Sequence, residues 1–123
     1  WNLADTSHQQ LLEKYRRAMN PGVKFTAPDC RLWSVTSSRL DPQELEKERE
    51  EERRTLHWLH QDNERQQRAN RGYLNETPVG SVIFEQSPLK HSRDLPGHCS
   101  RQRCDQCAFG AVDDSGLPIR KST

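Results

Sequence analysis

The chain has 123 residues, the length of at most one small domain. Its hydrophobic fraction is 31% and its charged fraction 30%, so it can bury only a thin core. Nineteen basic residues against eighteen acidic ones leave a net charge of +1, which argues against a nucleic-acid-binding surface over the whole molecule. No apolar run approaches the roughly 20 residues of a membrane span and no signal peptide is recognisable, so the sequence favours an intracellular protein without a membrane partner.

A helix and then a strand are predicted in the first part of the chain. Asp5, Thr6 and Ser7 are candidate helix caps. Apolar residues then recur at helical spacing: Leu11, Leu12, Tyr15, Ala18 and Met19. Pro21 and Gly22 stop this helix, whose apolar side is expected to cover one face of a sheet. Residues 23–27 are short and β-compatible, and Pro28 ends the strand.

A long, highly charged helix is predicted next, over residues 41–72. Asp41 is in the cap position, Pro42 in the first helical position, and Glu44 follows the cap by three residues. Residues 46–54 contain no apolar side chain and are expected to form a solvated helix face, with one supportive ion pair four residues apart, Glu50 with Arg54. The apolar anchors lie mostly in the middle of the helix: Leu45, Leu56, Trp58 and Leu59.

A second short strand, residues 73–75, follows this helix and ends in a turn at Pro78 and Gly80. Two strands joined by one long helix predict parallel neighbours with the helix as crossover. The predicted fold class is therefore α/β, a small incomplete Rossmann-like parallel sheet with flanking helices, in a single partial domain of residues 1–123. Residues 81–89 are compatible with a short helix.

Residues 90–123 are predicted to form a loop-rich tail that includes a hairpin. Residues 104–112 are compatible with one strand and residues 117–119 with its partner. Between them, residues 113–116 have the composition of a turn.

Each predicted strand is followed by one residue that could do chemistry. Cys30 lies in a turn after the first strand, where a thiolate could act as a nucleophile. Glu76 follows the second strand, where a carboxylate could act as a general acid or as a hydrogen-bond acceptor for a planar ring. Taken alone, a cysteine near a proline is usually structural, and such a glutamate is usually a cap or a surface charge.

Residues 28–34 resemble the Pro-Cys-Gln-x-Phe-Ser loop of cytosine-5 DNA methyltransferases, and residues 75–78 correspond to the Glu-Asn-Val strand end of that family. The resemblance implies that Cys30 corresponds to the nucleophile that adds to cytosine, and Glu76 to the acid that hydrogen-bonds the flipped base. The chain departs from the family pattern at several positions: Asp29, Arg31, Trp33, Thr77 and Pro78. The charge of Asp29 opposes thiolate formation.

Nearly the whole chain is similar to a segment of copia-like retroelement polyproteins of protists. The similarity rests on short motifs in order: residues 1–3, 29–34, 73–81, 104–110 and 116–123. It implies a methyltransferase-like piece of a longer polyprotein, with DNA as a partner and S-adenosylmethionine as the cofactor of the family. No glycine-rich turn for that cofactor is present in the sequence, and we expect it to lie before Trp1. The isolated chain is therefore expected to be inactive and to hold no cofactor.

The remaining cysteines suggest a competing function as a zinc-stabilised nucleic-acid-binding or interaction module. Cys104 and Cys107 have the spacing of two ligands to one zinc ion, and Cys99 or His98 could add a third. Since adjacent residues rarely both reach one metal, the cluster offers three ligands. The alternative is free cysteines in a polar loop, so the sequence predicts less than one tightly bound zinc ion per chain.

Overall fold

The computed structural model describes residues 3–34, 37, 40–86, 88–95, 97, 102–103 and 112–117. Within them, two α-helices alternate with two strands: α1 Thr6–Met19, β1 Val23–Thr26, α2 Pro42–Arg68 and β2 Gly72–Asn75. Three 3₁₀ segments complete the described elements: Arg31–Trp33, Ile83–Glu85 and Leu89–Asp94. None of these described helices is both long and apolar enough to cross a membrane.

Both helix starts follow from their capping residues. The Asp5 carboxylate accepts a hydrogen bond from the Ser7 backbone N–H at 2.8 Å and starts α1. The Asp41 carboxylate accepts from the two backbone N–H groups of residues 43 and 44, with Pro42 in the first turn of α2. Helix α2 ends three residues before the predicted Arg71, because Asn70 adopts the left-handed conformation with φ of 56°.

The two strands form a parallel pair, as predicted. Val23 is paired with Gly72, and the register continues to Thr26 opposite Asn75. Helix α2 connects the end of β1 to the start of β2 and is thus the crossover. The α/β prediction is confirmed at this level, with a sheet of two strands in the described residues.

The hydrophobic core is small and centres on α2. Its buried members are Leu32, Trp33, Leu45, Leu56, Leu59, Ile83 and Leu89. Three of them are anchors predicted on α2, so the middle of the charged helix is its packed part, as expected. Leu3, Trp58 and Phe84 pack against this core from its edge.

The sheet has a polar inner face and an apolar outer face. Side chains alternate along both strands, and the half-buried positions are polar: Lys24, Thr26, Tyr73 and Asn75. The outward positions Val23, Phe25 and Leu74 are 67%, 61% and 56% exposed. This arrangement is unusual because parallel sheets are normally covered on both faces.

Helix α1 is attached by charge and not by its apolar side. It has no buried residue, and Tyr15 and Met19 are exposed, so the expectation that its apolar residues cover the sheet is not met. Its links to α2 are ionic: Arg16 Nε lies 3.5 Å from an Asp62 oxygen, and Arg65 Nη1 lies 3.6 Å from a Glu13 oxygen.

The C-terminal part differs partly from expectation. Residues 81–89 form no continuous helix; Ile83–Glu85 and Leu89–Asp94 are separate 3₁₀ segments. The predicted turn at 113–116 is present, since the Asp113 carboxylate accepts from the backbone of Ser115 and Leu117, each at 2.9 Å. Most of the two predicted hairpin strands lies outside the described residues.

Candidate functional site

The candidate site lies at the carboxyl ends of β1 and β2. The Glu76 backbone N–H donates to the Thr26 carbonyl at 2.8 Å, which extends the strand pairing by one residue. Further along, the Val82 backbone N–H donates to the Trp33 carbonyl, also at 2.8 Å. The loop bearing Cys30 and the loop bearing Glu76 are therefore held together at one edge of the sheet.

The turn around Cys30 is fixed by local hydrogen bonds. Asp29 Oδ1 accepts from the Arg31 backbone N–H at 2.9 Å, forming a turn in which Cys30 is the middle residue. The Cys30 carbonyl then accepts from the Trp33 backbone N–H at 2.9 Å and starts the 3₁₀ segment. Cys30 is a free, half-buried cysteine.

Arg49 of α2 holds the same loop from the other side. Its Nε donates to the Leu32 carbonyl at 3.0 Å, and its guanidinium carbon lies 5.0 Å from the centroid of the Trp33 ring. The indole is itself almost fully buried. Arg49 belongs to the stretch predicted as a solvated helix face, so at this position the charged run builds part of the candidate site instead.

Glu52, about one turn further along α2, is the carboxyl group at this edge whose pKa is shifted most. Burial, and then the negative charge of Asp29, raise the pKa of Glu52 from its usual 4.5 to about 7. A hydrogen bond with Thr55 and the charge of Arg31 act in the opposite direction. A carboxyl group that changes charge near neutral pH thus lies close to the Asp29 turn. Glu52 was not among the site residues predicted from the sequence, which were those that follow the two strands.

Glu52→Gln is expected to make stability less sensitive to pH. A folded carboxyl whose pKa is raised keeps a proton that the unfolded chain releases, so stability is lost as pH rises from about 4.5 to about 7. The variant should therefore be more stable than the parent at about pH 8 and equal to it at about pH 4. Urea midpoints measure this, with the exposed neighbour variant Glu51→Gln as control; a stability difference that is the same at both pH values would contradict it.

Three polar atoms at this edge are shielded from solvent without a hydrogen-bond partner among the described residues: Trp33 Nε1, Glu76 Oε1 and Thr77 Oγ1. Such atoms are uncommon in folded proteins, because each costs roughly 1–3 kcal/mol when left unbonded. Glu76 is half-buried and Thr77 is buried.

The structure places Cys30 and Glu76 on adjacent loops, and a concavity shared by the two side chains stays a prediction. Two clefts on the described surface are lined by other residues, from α1 and the middle of α2. The predicted metal ligands His98, Cys99, Cys104 and Cys107 lie outside the described residues. Within the described part, no group of three or more His, Cys, Asp or Glu side chains is arranged to hold a metal ion.

The zinc prediction therefore remains to be measured. We expect less than one zinc ion per chain after purification, because the cluster offers only three ligands where structural zinc takes four. Elemental analysis checks this. Stoichiometric zinc that is lost when Cys104 and Cys107 are replaced by serine would contradict it.

No protein-family model matches the chain, and neither a curated protein nor a solved structure matches it significantly. The residues of the chain itself therefore have to support any functional proposal.

Proposed function

We propose that the chain is a methyltransferase-like segment of a retroelement polyprotein that is catalytically inactive by itself. The observation on which this depends is the parallel pairing of Val23–Thr26 with Gly72–Asn75 through the α2 crossover. This topology is what the resemblance to cytosine-5 DNA methyltransferases requires, and Cys30 and Glu76 follow its two strands in the expected order. DNA is the nucleic-acid partner that this relationship implies.

The Rossmann-like character of the sheet is part of the proposal. A parallel sheet is normally larger than two strands and covered by helices on both faces. Here α2 lies on one side, while Val23, Phe25 and Leu74 leave the other side apolar and exposed. These features support a βαβ unit that belongs to a larger sheet.

Two features of the sequence support the absence of catalysis: the cofactor turn and the cysteine loop. A methyltransferase of this type holds its cofactor at a glycine-rich turn after the first strand. The six glycines here are scattered and form no such turn. The loop around Cys30 also departs from the family pattern, since Asp29 stands between Pro28 and Cys30, and Arg31 stands where the family has glutamine.

We expect the purified chain neither to bind S-adenosylmethionine nor to methylate DNA. Calorimetric titration with S-adenosylmethionine should give no heat of binding at micromolar to millimolar ligand. A methyl-transfer assay on double-stranded DNA should give the same background for the parent chain and for Cys30→Ala. Micromolar binding of the cofactor, or methyl transfer that Cys30→Ala abolishes, would contradict the proposal of an inactive segment.

A further inference from the structure

A second site lies away from the strand ends, in a cleft between the start of α1 and the middle of α2. The cleft has a volume of about 440 Å³, within the range of small-ligand sites. Helix α2 contributes Arg54, His57, Trp58 and Gln61, and the α1 side contributes Thr6 and Gln9. Neither Cys30 nor Glu76 lines it, so this inference does not depend on the proposed function.

The α2 wall is a continuous stripe of one helix face. Positions 54, 57, 58 and 61 are spaced by three and four residues, so their side chains lie side by side along the helix. Trp58 is half-buried, packs against the hydrophobic core and is one of the residues that line the cleft. Arg54, His57 and Gln61 are exposed around it.

The opposite wall is held in place by one hydrogen bond. Gln9 Nε2 donates to the Leu3 carbonyl at 2.6 Å, and Leu3 itself packs against the core. The chain before α1 is thereby attached to the same core as Trp58. The two walls of the cleft therefore rest on one common core.

Arg54 differs from most other arginines of the protein. Among the described residues, no carboxylate oxygen lies within 4.0 Å of it, although it was predicted to pair with Glu50. Glu50 and Glu46 bind the neighbouring Arg53 instead. The Arg54 guanidinium is therefore available to an external anion, next to an indole and an imidazole.

We propose that this cleft binds one nucleotide of single-stranded nucleic acid. The Arg54 guanidinium would bind the phosphate, since its fork of N–H donors matches phosphate oxygens. The Trp58 ring offers a surface on which an unpaired base can stack, and the amides of Gln9 and Gln61 can hydrogen-bond a base edge. Polyglutamate would use Arg54 but has no planar ring to stack on the indole.

The test uses fluorescence anisotropy with the full chain and a labelled oligothymidylate of about twelve nucleotides, which is within the usual site size. Binding should fall in the range of sequence-independent recognition, with a dissociation constant of about 10⁻⁴ to 10⁻⁶ M. Duplex DNA of the same length should bind more weakly, because its bases are stacked on each other. The logarithm of the binding constant should fall linearly with the logarithm of the salt concentration. Removing the single phosphate contact of Arg54 should make this slope shallower by about 0.7.

Two matched variants locate the site. Arg54→Gln should weaken binding about fivefold or more, whereas Arg68→Gln, with the same change of charge at an exposed position of the same helix, should change it by less than about twofold. Trp58→Leu keeps an apolar side chain against the core and should weaken binding about tenfold through lost stacking. Circular dichroism verifies folding, and if Trp58→Leu does not fold, the two arginine variants alone decide.

Equal losses from Arg68→Gln and Arg54→Gln would overturn the proposal, because they would indicate attraction by overall charge. It would also be overturned by undetectable binding, by equal binding of duplex and single strand, or by polyglutamate that binds more tightly through Arg54. The expected pattern, with a selective loss for Arg54→Gln and a preference for single strands, supports it.

Discussion

Replacing Asp62 by alanine is expected to lower the free energy of unfolding by about 3–5 kcal/mol, because it leaves a buried cation without its partner. Asp62 is 1% exposed, and its Oδ2 lies 2.7 Å from Lys24 Nζ. Lys24 lies on the inner face of the sheet and also donates to Asn63 Oδ1 at 2.9 Å. Burial lowers the pKa of Lys24, while the charge of Asp62 acts against that change.

The same carboxylate connects three elements. It lies on α2, binds Lys24 of β1, and faces Arg16 of α1 at 3.5 Å through its other oxygen. Since α1 has no buried side chain, we expect Asp62→Ala to loosen α1 as well as β1. Amide hydrogen exchange should show faster exchange in both elements than in the middle of α2.

Urea unfolding followed by circular dichroism measures the loss, with Glu64→Ala as the matched control. Glu64 is on the same helix and pairs with the exposed Arg68, so its removal should cost no more than about 1 kcal/mol. The double variant Lys24→Met/Asp62→Leu should recover most of the stability, because it removes both charges together. If Asp62→Ala lowers the free energy of unfolding by no more than Glu64→Ala does, the buried ion pair does not stabilise the fold as described.

Leu59→Ala is expected to lower the free energy of unfolding by about 2–5 kcal/mol, the usual cost of a cavity in a packed core. Leu59 is 0% exposed and belongs to a core that has seven buried hydrophobic residues in the described part of the chain. A core this small has few neighbours that could move to fill the space. Trp33, whose loop forms one side of the candidate site, belongs to the same core.

Leu11→Ala is the control for this substitution. Leu11 is 39% exposed on α1, and alanine favours the helix, so its replacement should cost less than about 1 kcal/mol. Thermal unfolding of the two variants in parallel measures the difference. Similar losses for Leu11→Ala and Leu59→Ala would contradict the placement of the core on α2.

The βαβ unit could be predicted from sequence because its boundaries have strong local signals. Pro21 and Gly22 end α1, and Asp41 with Pro42 starts α2, so the position of β1 between them followed. These signals depend on backbone conformation within a few residues. They remain valid whatever the tertiary packing is.

The buried polar residues could not be predicted from composition, although helical spacing does contain a signal. Glu52, Leu56, Leu59, Asp62 and Gln66 follow one another at three- and four-residue intervals, so a single stripe of α2 contains both core leucines and polar side chains. Polar members of such a stripe need buried partners. Lys24 supplies one, and only the tertiary fold brings it there.

One further error comes from competition between neighbouring side chains. Glu50 was expected to pair with Arg54 but binds Arg53, three residues away instead of four. Both spacings are allowed on a helix, and sequence does not distinguish them. This choice matters because it leaves Arg54 available in the α1–α2 cleft.

Thiol cross-linking measures whether Cys30 and Glu76 belong to one site at the carboxyl ends of two parallel strands, as we propose. Cys99, Cys104 and Cys107 are replaced by serine and Glu76 by cysteine, so that only two thiols remain. A short bismaleimide should then join residues 30 and 76 within one chain, as mass spectrometry of the peptides would show. As a control, Glu64→Cys in the same cysteine background should give no such product, because position 64 lies near the opposite end of the sheet. Equal cross-linking from positions 64 and 76, or no cross-linking from position 76, would contradict a shared site.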